Sequence, residues 1–143
     1  AELAALPSDG RAMYDRLIEL AGDAGPSPDE EAFTIIGDLL RGAPVPARVR
    51  AGLYRGATYI KGIRFAGEVR DPLGRRGLAV DLANDHGTRN RLVFDPATSE
   101  LLAEEEVLTR RQSYVDAAPG FAMGSRVVLQ TAVVSSDTAQ PAK

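Results

Sequence analysis

Ile63–Val107 reads IRFAGEVRDPLGRRGLAVDLANDHGTRNRLVFDPATSELLAEEEV. Its apolar and charged residues alternate with a period of two through four segments, the pattern of strands with one buried face. In the first segment Ile63, Phe65, Gly67 and Val69 alternate with Arg64, Ala66, Glu68 and Arg70. In the second, Leu78, Val80 and Leu82 alternate with Ala79, Asp81 and Ala83.

The connections carry turn chemistry and suggest a register. Pro72-Leu73-Gly74-Arg75 suits a tight reversal with Asp71 facing Arg76, which would set Val69 against Leu78 and Phe65 against Leu82. Gly87 ends the short loop after Asn84-Asp85-His86, so Asn84 is expected opposite Thr88 and Asp81 opposite Arg91. Asp95 opposite Glu100 closes the third hairpin and would place Arg91 against Glu104 and Arg89 against Glu106. On that register the glutamate run Glu104-Glu105-Glu106 is a solvated ladder in which only Glu105, near Asn90, falls on the apolar side.

Three helices are expected ahead of the sheet. The first covers 9–21 after Ser8, with Met13, Leu17, Leu20 and Ala21 at helical spacing and Gly22 at its end. Ser27-Pro28-Asp29-Glu30 is a strong start signal for the second, whose stripe is Phe33, Ile36, Leu39 and Leu40. The third runs from Pro46 to about Ala57. From Arg110 to Gly124 a loop is expected, and a last strand at 125–134. The predicted fold is α+β: three N-terminal helices on one face of an antiparallel meander of about five strands, at 63–70, 77–83, 88–95, 101–108 and 125–134. The domain spans 6–134, and 135–143, small and polar, reads as a disordered tail or linker.

The chain has 143 residues, a formal net charge of −3, one histidine and no cysteine. That length supports one core, and the acidic balance argues against a nucleic-acid surface. Without cysteine there is no disulfide or thiolate chemistry. No apolar run is long enough to span a membrane and no signal peptide is evident, although a start at Ala1-Glu2-Leu3 suggests an upstream segment. His86 with Asp85 and Asp81 lacks the further ligands of a zinc site and is expected at a loop tip, so neither metal nor cofactor is expected. No phosphate-binding glycine loop or serine elbow occurs. Arg48, Arg50 and Arg55 are read as a solvated helix face.

Phe33-Thr34-Ile35-Ile36-Gly37-Asp38-Leu39-Leu40-Arg41, Pro44 to Arg55, and Val93-Phe94-Asp95-Pro96-Ala97-Thr98-Ser99-Glu100-Leu101-Leu102 together resemble an actinobacterial family of uncharacterised, membrane-anchored extracytoplasmic proteins often encoded beside extracytoplasmic-function sigma factors. The resemblance covers roughly 6–134. It implies an extracytoplasmic location, tethered by an anchor upstream of this chain, and a regulatory neighbourhood. Where the family pattern has glycine in the last hairpin loop, Ser99-Glu100 stand here, so that turn is expected to differ.

The function expected is a non-enzymatic extracytoplasmic binding or sensing module taking a protein or a small apolar ligand between helices and sheet. Tyr54, Phe65, Phe94 and Glu105 are the candidate ligand-binding residues, with a cavity or exposed apolar patch near the three aromatics. The alternatives are a small hydrolase built on Asp81, Asp85, His86 and Glu105, and a structural spacer or oligomerisation domain.

Overall fold

The structure is a computed structural model and describes residues 3–42, 44–84, 87–109 and 122–127. After a short 3-10 turn at Leu3–Ala5 come helices α1 (Gly10–Ala21), α2 (Pro28–Gly42) and α3 (Ala47–Ala57). Strands β1 (Ile63–Arg70), β2 (Arg76–Ala83), β3 (Thr88–Phe94), β4 (Leu101–Leu108) and β5 (Ala122–Val127) follow, and form one antiparallel sheet in sequence order. This is the expected α+β architecture. The last strand begins at Ala122, inside the stretch read as loop, and 128–134, the rest of the expected strand, lies outside the described residues, as does the 135–143 tail.

Local chemistry explains the helix starts. The Asp9 carboxylate, not Ser8, accepts the Ala12 N–H at 2.9 Å and caps α1. Ser27 Oγ accepts the Glu30 N–H at 3.1 Å, and Asp29, Glu30 and Glu31 place negative charge at the positive end of α2. Met13 and Leu17, Phe33, Ile36 and Leu40, and Val49 and Leu53 then meet Val80, Leu82, Leu92 and Leu101 of the sheet in the main core. Each such fully buried side chain contributes about 1.5–3 kcal/mol of apolar burial.

The sheet departs from the expected register in the first and third hairpins, each of which carries a bulge. Arg70 faces Arg76 and Val69 faces Gly77, one residue off the expected pairing, and an extra residue, Ala66, then puts Phe65 opposite Val80. Gly67 at φ 80° supplies the left-handed backbone that this bulge requires. Val69 accordingly joins Val93 on the face turned away from the helices, while Ile63 stays with the helix-side core. The second hairpin has the expected register, with Asp81 opposite Arg91 and Leu78 opposite Phe94. In the third, Phe94 faces Leu101 as expected, but Leu102 is an extra residue and Val93 faces Ala103. Beyond it every β4 side chain has changed face, because a one-residue slip reverses a period of two.

The outer face is also not the wet ladder expected. Asp81, Val93 and Ala103 on it are each 0% exposed. In β2, β3 and β4 the face turned away from the helices is therefore partly buried rather than solvated, while β1 has no buried residue.

Candidate functional site

That register decides what each glutamate of β4 faces. Arg91 lies opposite Glu105, Leu92 opposite Glu104 and Asn90 opposite Glu106, which corrects the expected pairs Arg91–Glu104 and Arg89–Glu106. Arg91 instead grips Asp81 in a fork, Nε to Oδ1 at 2.8 Å and Nη2 to Oδ2 at 2.9 Å, while Arg89 Nε donates to Oδ2 at 3.0 Å. Hydrogen bonding to Asp81 raises the Arg91 pKa against the opposing effect of burial. Glu105 shares this outer face, so it is neither on the apolar side nor left over. Burial raises its pKa; Arg91 opposes the rise, and Asp71 and Asp81 add to it.

Asp81 and Glu105 thus face the same way, as the hydrolase reading required. Asp81, however, spends both oxygens on guanidinium N–H groups and has no exposed surface, so it offers no acceptor for a substrate proton. Asp85 and His86 lie outside the described residues. Among the described residues no group of three or more His, Asp or Glu side chains is placed to hold a metal ion.

The aromatic candidates do come together. Tyr54 and Phe94 stack with ring centroids 4.6 Å apart, and with Phe65 they border a void of about 30 Å³ that Ile36 and Val80 also line. That is roughly the volume of one water molecule in the liquid. The Tyr54 hydroxyl donates to the Ser99 carbonyl at 2.7 Å, and burial raises its pKa. Arg50 donates to Ser99 Oγ at 3.0 Å, to the Thr98 carbonyl at 3.0 Å and to the Val45 carbonyl at 2.7 Å. Tyr54 and Arg50 are therefore a clasp between α3 and the β3–β4 loop, where Ser99 sits at φ 60°, a region that favours glycine. Arg50 is not on the solvated helix face expected of it. Phe65 is 64% exposed, on the β1 edge of the sheet.

A larger space lies on the other side of α2. A cleft of about 730 Å³ opens between α2 and strands β3, β4 and β5. Thr34, Asp38 and Arg41 recur at helical spacing along its α2 wall, Asn90 and Leu92 come from β3, and Glu104 and Glu106 come from β4. Phe33 and Leu92, both buried, separate it from the small aromatic void, which they also line. Arg41 donates to both Glu104 and Asp38, and hydrogen bonding to Glu104 first and Asp38 second raises its pKa. Glu104 fits against the helix because position 37 is glycine: a Cβ there would lie 2.5 Å from Glu104 Oε1.

Sequence reasoning missed this cleft because the expected register sent Glu104 and Glu106 to the outer face. The available signal was Gly37, a glycine in the middle of an otherwise well-formed helix, with Asp38 and Arg41 beside it. No protein-family model matches this chain, no curated protein matches it, and no solved structure matches it.

Proposed function

We propose that this chain is a non-enzymatic binding or sensing module whose ligand sits in the α2–β3–β4 cleft. The observation that carries the reading is the cleft itself. At about 730 Å³ it falls within the range of small-molecule sites, and it joins an apolar floor to a few polar side chains. The ligand it suits is polar, in contrast to the apolar one expected between Tyr54, Phe65 and Phe94, where the space is only about 30 Å³. The resemblance to membrane-anchored extracytoplasmic proteins supports placing the module outside the cytoplasm in a tethered, regulatory parent protein. Among the described residues no helix is long and apolar enough to cross a membrane. The test is a set of amide spectra recorded with small polar molecules. Saturable shifts confined to 34–41 and 103–107 are the expected result, and shifts only around Phe65 would overturn it.

A second reading, docking of a protein partner at the β1 edge, is favoured by one observation, the exposure of Phe65 beside the half-exposed Leu78. Loss of the partner in a Phe65→Ser variant with an intact fold would identify it.

A further inference from the structure

The charge of the cleft narrows its ligand. Among the described side chains, Asp38, Glu104 and Glu106 line it against the guanidinium of Arg41, while Arg91 and Glu105, which also border it, are opposite charges facing each other across the strands; on β5, Arg126 is the register partner of Glu104. Arg41 is already engaged by Asp38 and Glu104. Glu106 is exposed and has no ion-pair partner among the described residues, and Asn90, directly opposite, makes no side-chain hydrogen bond among them. The wall that is closed on itself and the wall that is open thus stand side by side.

These carboxylates do not converge as metal ligands do. Glu104 and Glu106 are two residues apart on one face of β4, which separates them by about 6.6 Å along the strand. That spacing suits an extended charge on an apolar stem rather than a compact ion. Buried Leu92 and Phe33 supply an apolar floor beneath it. Resting on the cleft as the binding site, we infer that its ligand is a small organic cation, an ammonium or guanidinium group on a short aliphatic stem. The charged end meets Glu106 and the Asn90 amide oxygen, the stem lies on Leu92, and the Asp38–Arg41–Glu104 cluster forms a fixed wall.

The test compares three probes built on one butane stem, agmatine, butanediol and adipate, which carry cationic, neutral and anionic ends. Titrated into the isotopically labelled protein, agmatine shifts the amides of 34–41 and 103–107 saturably and the other two do not. Glu106→Gln weakens agmatine by about tenfold, the size of one charge-assisted hydrogen bond. Glu68→Gln, at the exposed Arg76 pair on β1 and β2, leaves it unchanged. Added salt weakens agmatine in the same direction, as it does for any exposed charge pair. Butanediol or adipate matching agmatine in the cleft would overturn the cation inference and leave the binding reading standing. If none of the three moves those amides, both fall.

Discussion

Glu104 lies against α2 at Gly37, with its Oε1 2.5 Å from the position a Cβ would take there. A helix interior normally loses about 1 kcal/mol by carrying glycine instead of alanine. Here that loss leaves room for the Glu104–Arg41 pair. Gly37→Ala should therefore gain little stability in the native background, because the helix gain is offset by the displaced carboxylate. In a Glu104→Ala background the same change should stabilise by about 0.5–1 kcal/mol. Urea denaturation of the four proteins of this cycle measures the coupling, and simple additivity would contradict the contact.

Asp81, fully buried, accepts three hydrogen bonds from two guanidinium groups. Asp81→Ala leaves Arg89 and Arg91 without their buried counter-charge, with an expected loss of about 3–5 kcal/mol. Glu68→Gln at the exposed pair with Arg76 should cost under about 0.5 kcal/mol. Equal denaturation midpoints for the two variants would remove the buried cluster from any role in stability.

Two carboxyls give the pH dependence opposite signs. Asp71 has a fully buried side chain. Burial alone would raise its pKa, but the Arg75 N–H and guanidinium and the Leu73 N–H outweigh it and hold the pKa below the ordinary 3.8. The stability this gives is complete above that ordinary value and is lost as pH falls through the folded one. Glu105 is raised above its ordinary 4.5, chiefly by burial. Its ionised form therefore weakens the fold above the folded pKa, and that penalty disappears as pH falls to the ordinary value. Glu105→Gln should be more stable than the native protein at neutral pH and equal to it below 4.5. Asp71→Asn should be less stable at neutral pH, with a shrinking deficit in acid. Denaturant midpoints across pH check both slopes.

The clasp between α3 and the β3–β4 loop makes Tyr54 a stability residue. Tyr54→Phe removes one hydrogen bond to Ser99 and should cost about 1 kcal/mol. Arg50→Ala removes three and should cost more, while Phe65→Ser, at a largely exposed position, should stay within about 0.5 kcal/mol. Thermal unfolding of the three variants gives the order. A large loss for Phe65→Ser would mean that its ring is packed in solution.

The helices were legible because their signals are local: Ser27 capping Glu30, Gly22 after Ala21, and the stripe of Phe33, Ile36 and Leu40. The hairpin at Asn84–Thr88 was legible too, since its length alone fixes Asp81 opposite Arg91. The two bulges were not. Ala66 and Leu102 look like ordinary members of their strands, and an inserted residue changes no local propensity; it changes only which face each later residue occupies. Leu101-Leu102-Ala103 carried the warning, because three successive apolar residues have no alternation to hold a register. That one missed residue moved Glu104, Glu105 and Glu106 to the wrong faces and hid the cleft.

Because each strand pairs with the one before it in the chain, no pairing waits for the distant ends to meet. The loops closed along β1 to β4 are each only a few residues long, so the entropy of closing them is small and is spent one hairpin at a time. Refolding that is fast for a sheet protein is the consequence, with rates governed by local turn formation at Asp71, Asn84 and Asp95 rather than by a search across the whole chain.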